Sequence, residues 1–259
     1  MTDELIVRDD GPLRRIVMNR PAARNALTMA MYDGIAAACR EVAEDGPIRA
    51  VILSGAGERA FAAGTDMAQF RSFDGPADAL AYERKMDAVL SDIERCPVPT
   101  IAAITGACTG GGAMLSAVCD LRIADRRLKW GFPIARTLGN CLSVGNLHRL
   151  GHLVGFARLR EILFTARLIE ADEAAQIGLV AELLEDPGAV MARADALAET
   201  LAGHAPLTLR ATKEALRRIM RAGAAADGDD LVALCYTSAD FKEGIEAFLG
   251  KRAPAWLGR

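Results

Sequence analysis

The 24 residues from Cys96 to Cys119 carry no charged side chain, and no other feature so narrows what this chain can fold into. Their length matches a membrane-spanning helix. Their composition does not: ten of the 24 are Gly, Pro, Thr or Ser, with Pro97 and Pro99 at one end, a mixture that inserts weakly. The segment divides instead into a buried strand, Thr100–Thr105, a glycine turn, and a buried helix opening at Ala113-Met-Leu-Ser-Ala-Val118.

Four glycines, Gly106 and Gly110-Gly-Gly112, precede that helix. A glycine lets a backbone N–H approach a ligand closely, and a helix N-terminus favours developing negative charge. An oxyanion hole is built in this way, and it suits a carbonyl that becomes an enolate or a tetrahedral anion. Gly64-Thr65, at a strand-to-loop junction, offers a second N–H, and two such donors would hold one carbonyl oxygen. On the residues alone, two ordinary tight turns explain the same glycines.

At 259 residues the chain fits one large α/β domain, or a domain with a short appendage. Hydrophobic residues make up 51% of it and the formal net charge is −3, so nothing is basic enough to expect nucleic-acid or anionic-membrane partners. The six cysteines (39, 96, 108, 119, 141, 235) are scattered without a C-x-x-C and read as reduced thiols. The N-terminus has acids where a signal peptide needs bases and a long apolar run, so a cytoplasmic location is expected.

Two short strands are predicted at Leu5–Arg8 and Leu13–Met18, joined by the turn cluster Asp9-Asp-Gly-Pro12. Asn25-Ala-Leu-Thr28 leads into an alanine-rich helix through about Ala43, which Gly46-Pro47 terminates. Arg49–Ser54 is a buried strand, and Ala60-Phe-Ala-Ala-Gly64 a second short strand and turn. Residues 77–95 form an amphipathic helix with Ala79, Tyr82, Met86, Val89, Leu90 and Ile93 at helical spacing. Leu121–Ala124 reads as a further strand and Trp130-Gly-Phe-Pro133 as another turn. Helices dominate from about Ser143, with Gly178-Leu-Val180 and Ala181–Leu184 as the last strand-like piece. Repeated β–β–α blocks imply a mostly parallel sheet with crossover helices. The apolar helical end, about 195–259, either closes its own domain or joins subunits.

Several motifs carry little. Gly55-Ala-Gly57-Glu-Arg-Ala60 imitates a dinucleotide fingerprint, but Phe61-Ala-Ala-Gly64 follows where a helix should open. Gly106-x-x-x-Gly110-Gly-Gly lacks the Lys-Ser/Thr of a phosphate loop. His148 and His152 stand four apart with no further metal ligand near, and read as partly exposed helix residues, so no metal is expected. Ser54, Ser116 and Ser143 lack a nucleophile-elbow context.

Taken together, the motifs resemble the crotonase (enoyl-CoA hydratase/isomerase) superfamily over essentially the whole chain. The likeness rests on Asn19-Arg-Pro-Ala-Ala-Arg-Asn-Ala-Leu27, Gly57-Glu-Arg-Ala-Phe-Ala-Ala-Gly-Thr-Asp66 and Ile101-Ala-Ala-Ile-Thr-Gly106. It continues through Gly110-Gly-Gly-Ala-Met-Leu115, Cys119-Asp-Leu-Arg-Ile-Ala-Asp125, Ile177-Gly-Leu-Val180, Phe241-Lys-Glu-Gly-Ile-Glu-Ala-Phe248 and Lys251-Arg-Ala-Pro254. The resemblance implies an α/β fold: a crotonase-like spiral of ββα turns over residues 1–194 and a C-terminal helical trimerisation region over 195–259. It implies a homotrimer or hexamer, and a CoA thioester as substrate with no separate cofactor. By motif position, the oxyanion-hole amides are those of Thr65 and Gly111. Arg24, Arg59 and Ala63 fall where CoA is held, and Phe241 and Lys251 in the tail segment that often touches it from a neighbouring subunit.

The chain also departs from the pattern. Family hydratases place a glutamate three residues after the middle glycine of the triplet, where this chain has Met114. A second glutamate follows the Gly-x-Pro motif, where this chain has Ile134. Hydration needs a base for water and an acid for the α-carbon, each worth about 10²–10⁴ in rate, and neither side chain transfers a proton. The expected activity is therefore that of an acyl-CoA enzyme of the family without the two-glutamate hydration route. Isomerase, decarboxylase, dehalogenase and thioesterase variants stand open, as does an acyl-CoA-binding protein without turnover. The segment Ala135–Ser143, one residue longer than usual, offers Asn140, Cys141 and Ser143 toward the acyl group, with Asp66 and Tyr82 as weaker candidates. Free cysteine is most often core, and Asp66 fits a structural loop carboxylate.

Overall fold

The computed structural model describes residues 4–72, 74–222 and 228–259, apart from the side chains of Ser72 and Phe248. The start of the acidic N-terminus, Phe73 in the loop after Asp66, and the Phe248 side chain in the tail motif therefore lie outside the described residues.

A hairpin of β1 (Leu5–Asp10) and β2 (Leu13–Met18) turns through Gly11 at φ +57°, a backbone that glycine adopts without strain. Helix α1 (Met29–Arg40) follows, its first turn capped by the Thr28 hydroxyl, which accepts the Met31 N–H at 3.3 Å. The chain then winds through blocks of long strand, short strand and helix. The first comprises β3 (Ala50–Gly55), β4 (Ala60–Ala62) and α2 (Pro76–Glu94). The second comprises β5 (Thr100–Ile104), β6 (Ala107–Thr109) and α3 (Gly111–Val118). The third comprises β7 (Leu121–Asp125), β8 (Lys129–Gly131) and the helices α4 (Ile134–Thr137), α5 (Val144–Val154) and α6 (Phe156–Thr165). After β9 (Ile169–Glu170), α7 (Ala171–Gln176) and β10 (Glu182–Leu184), the described residues form the helices α8 (Pro187–Ala202), α9 (Pro206–Ala222), α10 (Asp229–Tyr236) and α11 (Ala239–Leu249).

Long strands and short strands separate into two sheets, ordered β1-β2-β3-β5-β7-β10 and β4-β6-β8-β9. Beyond the hairpin, every pairing in the larger sheet is parallel. Its central strands are buried on both faces, which explains the uncharged run. Val51, Leu53, Ala102 and Ile104 join the main core with α1, α2 and α3. Their alternates, Ile52, Ile101 and Ala103, meet Val190, Ala194 and Ala198 of α8 on the other face. Among the described residues no helix is long and apolar enough to cross a membrane.

Some sequence expectations need correction. Trp130-Gly131 belongs to β8, and only Phe132-Pro133 turns the chain. Gly178–Val180 is not a strand; the last one is Glu182–Leu184. Strands β6 and β9 were not anticipated, because strands of three and two residues are too short to display a period. The junction expected between 194 and 195 falls inside α8, whose buried stripe lies at i, i+4 and i+8 against the sheet. Buried polar groups pin the turns: Asp125 accepts the Gly106 N–H at 2.9 Å, and the Trp130 indole N–H donates to the Ser116 hydroxyl at 3.0 Å.

Candidate active site

Strand β4 runs into Ala63-Gly64-Thr65, a loop pinned along one side. The Leu27 N–H donates to the Gly64 carbonyl at 2.8 Å, and the Asp66 N–H donates to the Leu27 carbonyl at 2.9 Å. In this parallel bridge the bonded groups belong to the residues flanking Thr65, so the N–H of Thr65 itself turns the other way. Gly64 takes φ +109°, which L side chains rarely adopt.

A second loop meets the first. Gly110, at φ +53°, turns the chain between β6 and α3, and its N–H donates to the Gly131 carbonyl at 2.9 Å. Helix α3 opens at Gly111, whose N–H lies in the first turn and has no acceptor within the helix. A Cβ on Gly110 would stand 3.4 Å from the Gly64 Cα, one on Gly111 would collide with the Tyr32 hydroxyl, and one on Gly112 with the Ala62 carbonyl. Glycine at these positions is what allows the two loops to touch.

Thr65 and Gly111 border a cavity of about 320 Å³ with mostly apolar walls, among them Met86, Leu90, Met114, Phe132, Ile134 and Leu142. Three hydroxyls run across it. Tyr32 Oη lies 2.9 Å from Thr65 Oγ1, which lies 3.1 Å from Tyr82 Oη. Burial pushes both phenols above the ordinary tyrosine range, so they stay protonated at neutral pH.

The cavity also holds a carboxylate, Glu83. Burial raises its pKa; hydrogen bonds from the Ser143 N–H and hydroxyl work against that rise, and the charge of Asp87 adds to it. Sequence reading missed both Tyr32 and Glu83. For Glu83 a signal existed: residues 79, 83, 86 and 90 form one stripe of α2, so a charged residue interrupts the apolar face.

The candidates drawn from the sequence fall in different places. Ala63, Tyr82, Met114, Ile134, Asn140 and Cys141 line the cavity with Thr65 and Gly111. Ser143 does not line it; its hydroxyl caps α5, accepting the Asn146 N–H at 3.3 Å. Asp66 is engaged elsewhere, accepting from the Ala68 N–H at 3.1 Å and from Arg20 at 2.9 Å, and these contacts hold it below the usual carboxylate range. Arg24 is exposed, and its carbonyl takes the Ala63 N–H at 3.0 Å, which puts it at the rim; Arg59 is exposed beside β4. Phe241 borders a separate cavity among α9, α10 and α11, and Lys251 follows α11 in the tail, so within one chain neither meets the Thr65 cavity. Ser116 is no nucleophile: it is buried and donates to the Ala113 carbonyl at 2.8 Å. His148 and His152 are both exposed on α5, their Nε2 atoms 3.2 Å apart.

A two-sheet spiral of ββα turns, with two glycine loops bordering one cavity, defines a class that comparison with known proteins identifies. The enoyl-CoA hydratase/isomerase family model matches residues 10–259. The short-chain-enoyl-CoA hydratase of Clostridium acetobutylicum is 32% identical over 253 residues, covering 96% of each chain. The crotonyl-CoA hydratase of Syntrophomonas wolfei is 32% identical over 260 residues, covering 99% of each. A crystal structure of an enoyl-CoA hydratase/carnithine racemase from Magnetospirillum magneticum superposes with a TM-score of 0.91 at 33% identity, over 100% of this chain and 97% of that one. The chain belongs to the enoyl-CoA hydratase/isomerase (crotonase) family.

Proposed function

We propose that this protein is an enzyme that processes an acyl-CoA thioester through an enolate, whose oxygen is held by the N–H groups of Thr65 and Gly111. One observation carries the reading: two N–H donors without partners in their own elements border the same apolar cavity. Such preorganised donors stabilise charge as it develops on the thioester oxygen. Met114 and Ile134, where family hydratases have glutamates, argue against hydration by the two-glutamate route and toward isomerisation, decarboxylation, dehalogenation or thioester cleavage. The relatives named for enoyl-CoA substrates support a CoA thioester as ligand, and on this reading Arg24 and Arg59 hold its nucleotide end and Ala63 borders it nearer the cavity.

On this reading the protein is a homotrimer or hexamer, joined through the C-terminal helices. Leu216, Ile219, Val232, Tyr236 and Ile245 stand exposed there in the single chain, and a neighbour would bring Phe241 and Lys251 to the CoA. The six free cysteines suit a reducing cytoplasm.

A second reading, acyl-CoA binding without turnover, is favoured by the same apolar Met114 and Ile134. Incubation with a panel of acyl- and enoyl-CoA thioesters in D₂O, followed by mass spectrometry, separates the two. Added water, lost carboxylate, freed thiol, or deuterium gained at the α-carbon is the result expected of an enzyme. Unchanged masses with tight CoA binding would overturn it in favour of the binder.

A further inference from the structure

The reaction proposed above needs a group that moves a proton, and the positions that serve this in family hydratases hold Met114 and Ile134. The cavity supplies a carboxylate from a different wall. Glu83 stands on α2 directly after Tyr82, whose hydroxyl touches Thr65 Oγ1 at 3.1 Å, so this turn of the helix adjoins the loop that bears one oxyanion donor. Ser143 follows the cavity residues Cys141 and Leu142, and hydrogen bonds from its N–H and hydroxyl favour the charged form of Glu83. The Ser143 oxygen already accepts the Asn146 N–H at 3.3 Å, which leaves its proton for Glu83. Among the described residues no cation contributes to the titration of Glu83, so its charge is not neutralised by an ion pair.

The other polar groups serve less well. Tyr32 and Tyr82 are kept protonated by burial, Asp66 is bound to Arg20, and Cys141 lies exposed on the loop before α5. Asp87, one turn beyond Glu83, is bound to Arg149 of α5.

We propose that Glu83 is the proton-transferring catalytic residue of this chain, acting on a β,γ-unsaturated acyl thioester as both base and acid. Its carboxylate takes a proton from the α-carbon, and the C–H electron pair becomes a double bond between the carbonyl carbon and the α-carbon as the carbonyl electrons move onto oxygen, facing the Thr65 and Gly111 N–H groups. As the carbonyl re-forms, that pair shifts to lie between the α- and β-carbons, and the former β,γ pair takes the proton back from Glu83 at the γ-carbon. Atoms and electrons balance without water, oxidant or reductant, so a single carboxylate suffices. The inference rests on the enzymic reading of the site.

The test compares wild type with Glu83→Gln, Glu83→Asp and Ser143→Ala on a 3-enoyl-CoA in D₂O, following double-bond position and α-deuteration, with thioester binding measured by calorimetry. Glu83→Gln is isosteric and is expected to lower kcat by about 10²–10⁴ while changing the dissociation constant less than about threefold. Glu83→Asp is expected to recover part of the rate. The wild-type rate falls below the pKa of Glu83, and Ser143→Ala moves that limb to higher pH because a hydrogen bond to the charged form is lost. Exchange by Glu83→Gln within about twofold of an active wild type overturns the role of Glu83 and leaves the enzymic reading standing. A wild type that binds the thioester yet neither exchanges nor isomerises it overturns both.

Discussion

Thr65 Oγ1 lies 2.9 Å from the hydroxyl of Tyr32, a fully buried side chain of α1. The contact ties the Gly64-Thr65 loop to a helix that the chain laid down over thirty residues earlier. Removing it should be felt more in geometry than in stability. Tyr32→Phe keeps the ring and lets Thr65 retain its bond to Tyr82, so chemical denaturation should show a loss of about 1 kcal/mol. Turnover of whichever thioester proves to be the substrate should fall more steeply than binding, as Thr65 loses one of two restraints.

That variant also opens the way to a clean test of Gly111. A Cβ there meets the Tyr32 hydroxyl, so the substitutions belong in the Tyr32→Phe background. Gly111→Ala keeps the N–H and Gly111→Pro removes it, at the first position of a helix where proline is tolerated. The proline variant should be about 10²–10³ slower than the alanine variant at similar thermal stability. Equal rates would exclude the Gly111 N–H from the reaction.

Glu83 should cost stability where it is charged. Its folded pKa is raised, so the fold binds its proton more tightly than the unfolded chain does, and stability declines as pH rises through that range. Glu83→Gln should therefore be more stable than wild type at pH 8. The gain should be no more than about 0.5 kcal/mol, since the group is only half-buried and solvent screens it, and it should vanish below about pH 4. Paired urea titrations at the two pH values measure it.

Asn25 fastens the approach to the site from outside the cavity. Fully buried and at φ +56°, it donates to the carbonyls of Ala56 at 3.0 Å and Ala60 at 2.8 Å, and accepts the Arg20 N–H at 2.9 Å. Asn25→Ala removes all three bonds and leaves a left-handed backbone under an alanine. Denaturant melts should show a loss of about 2–4 kcal/mol. Asn25→Gly, which tolerates the backbone, should lose less.

Local sequence determined a good deal of this protein. The uncharged run from Cys96 to Cys119 dictated strand, turn and helix, because only a doubly covered sheet can hide it. The ordered motifs carried the family, and the glycines at 64 and 110–112 marked the two loops that border the cavity, since φ and space are local properties. Short strands such as β6 and β9 escaped detection, for pairing with distant partners is all that makes them strands. Only the tertiary structure brought Tyr32 from α1 and Glu83 from α2 to the cavity of Thr65 and Gly111, and made Ser143 a cap of α5 rather than a cavity wall. The reason is physical: a helix shows in its own sequence which face is apolar, but which loop that face meets depends on how the crossovers pack it onto the sheet.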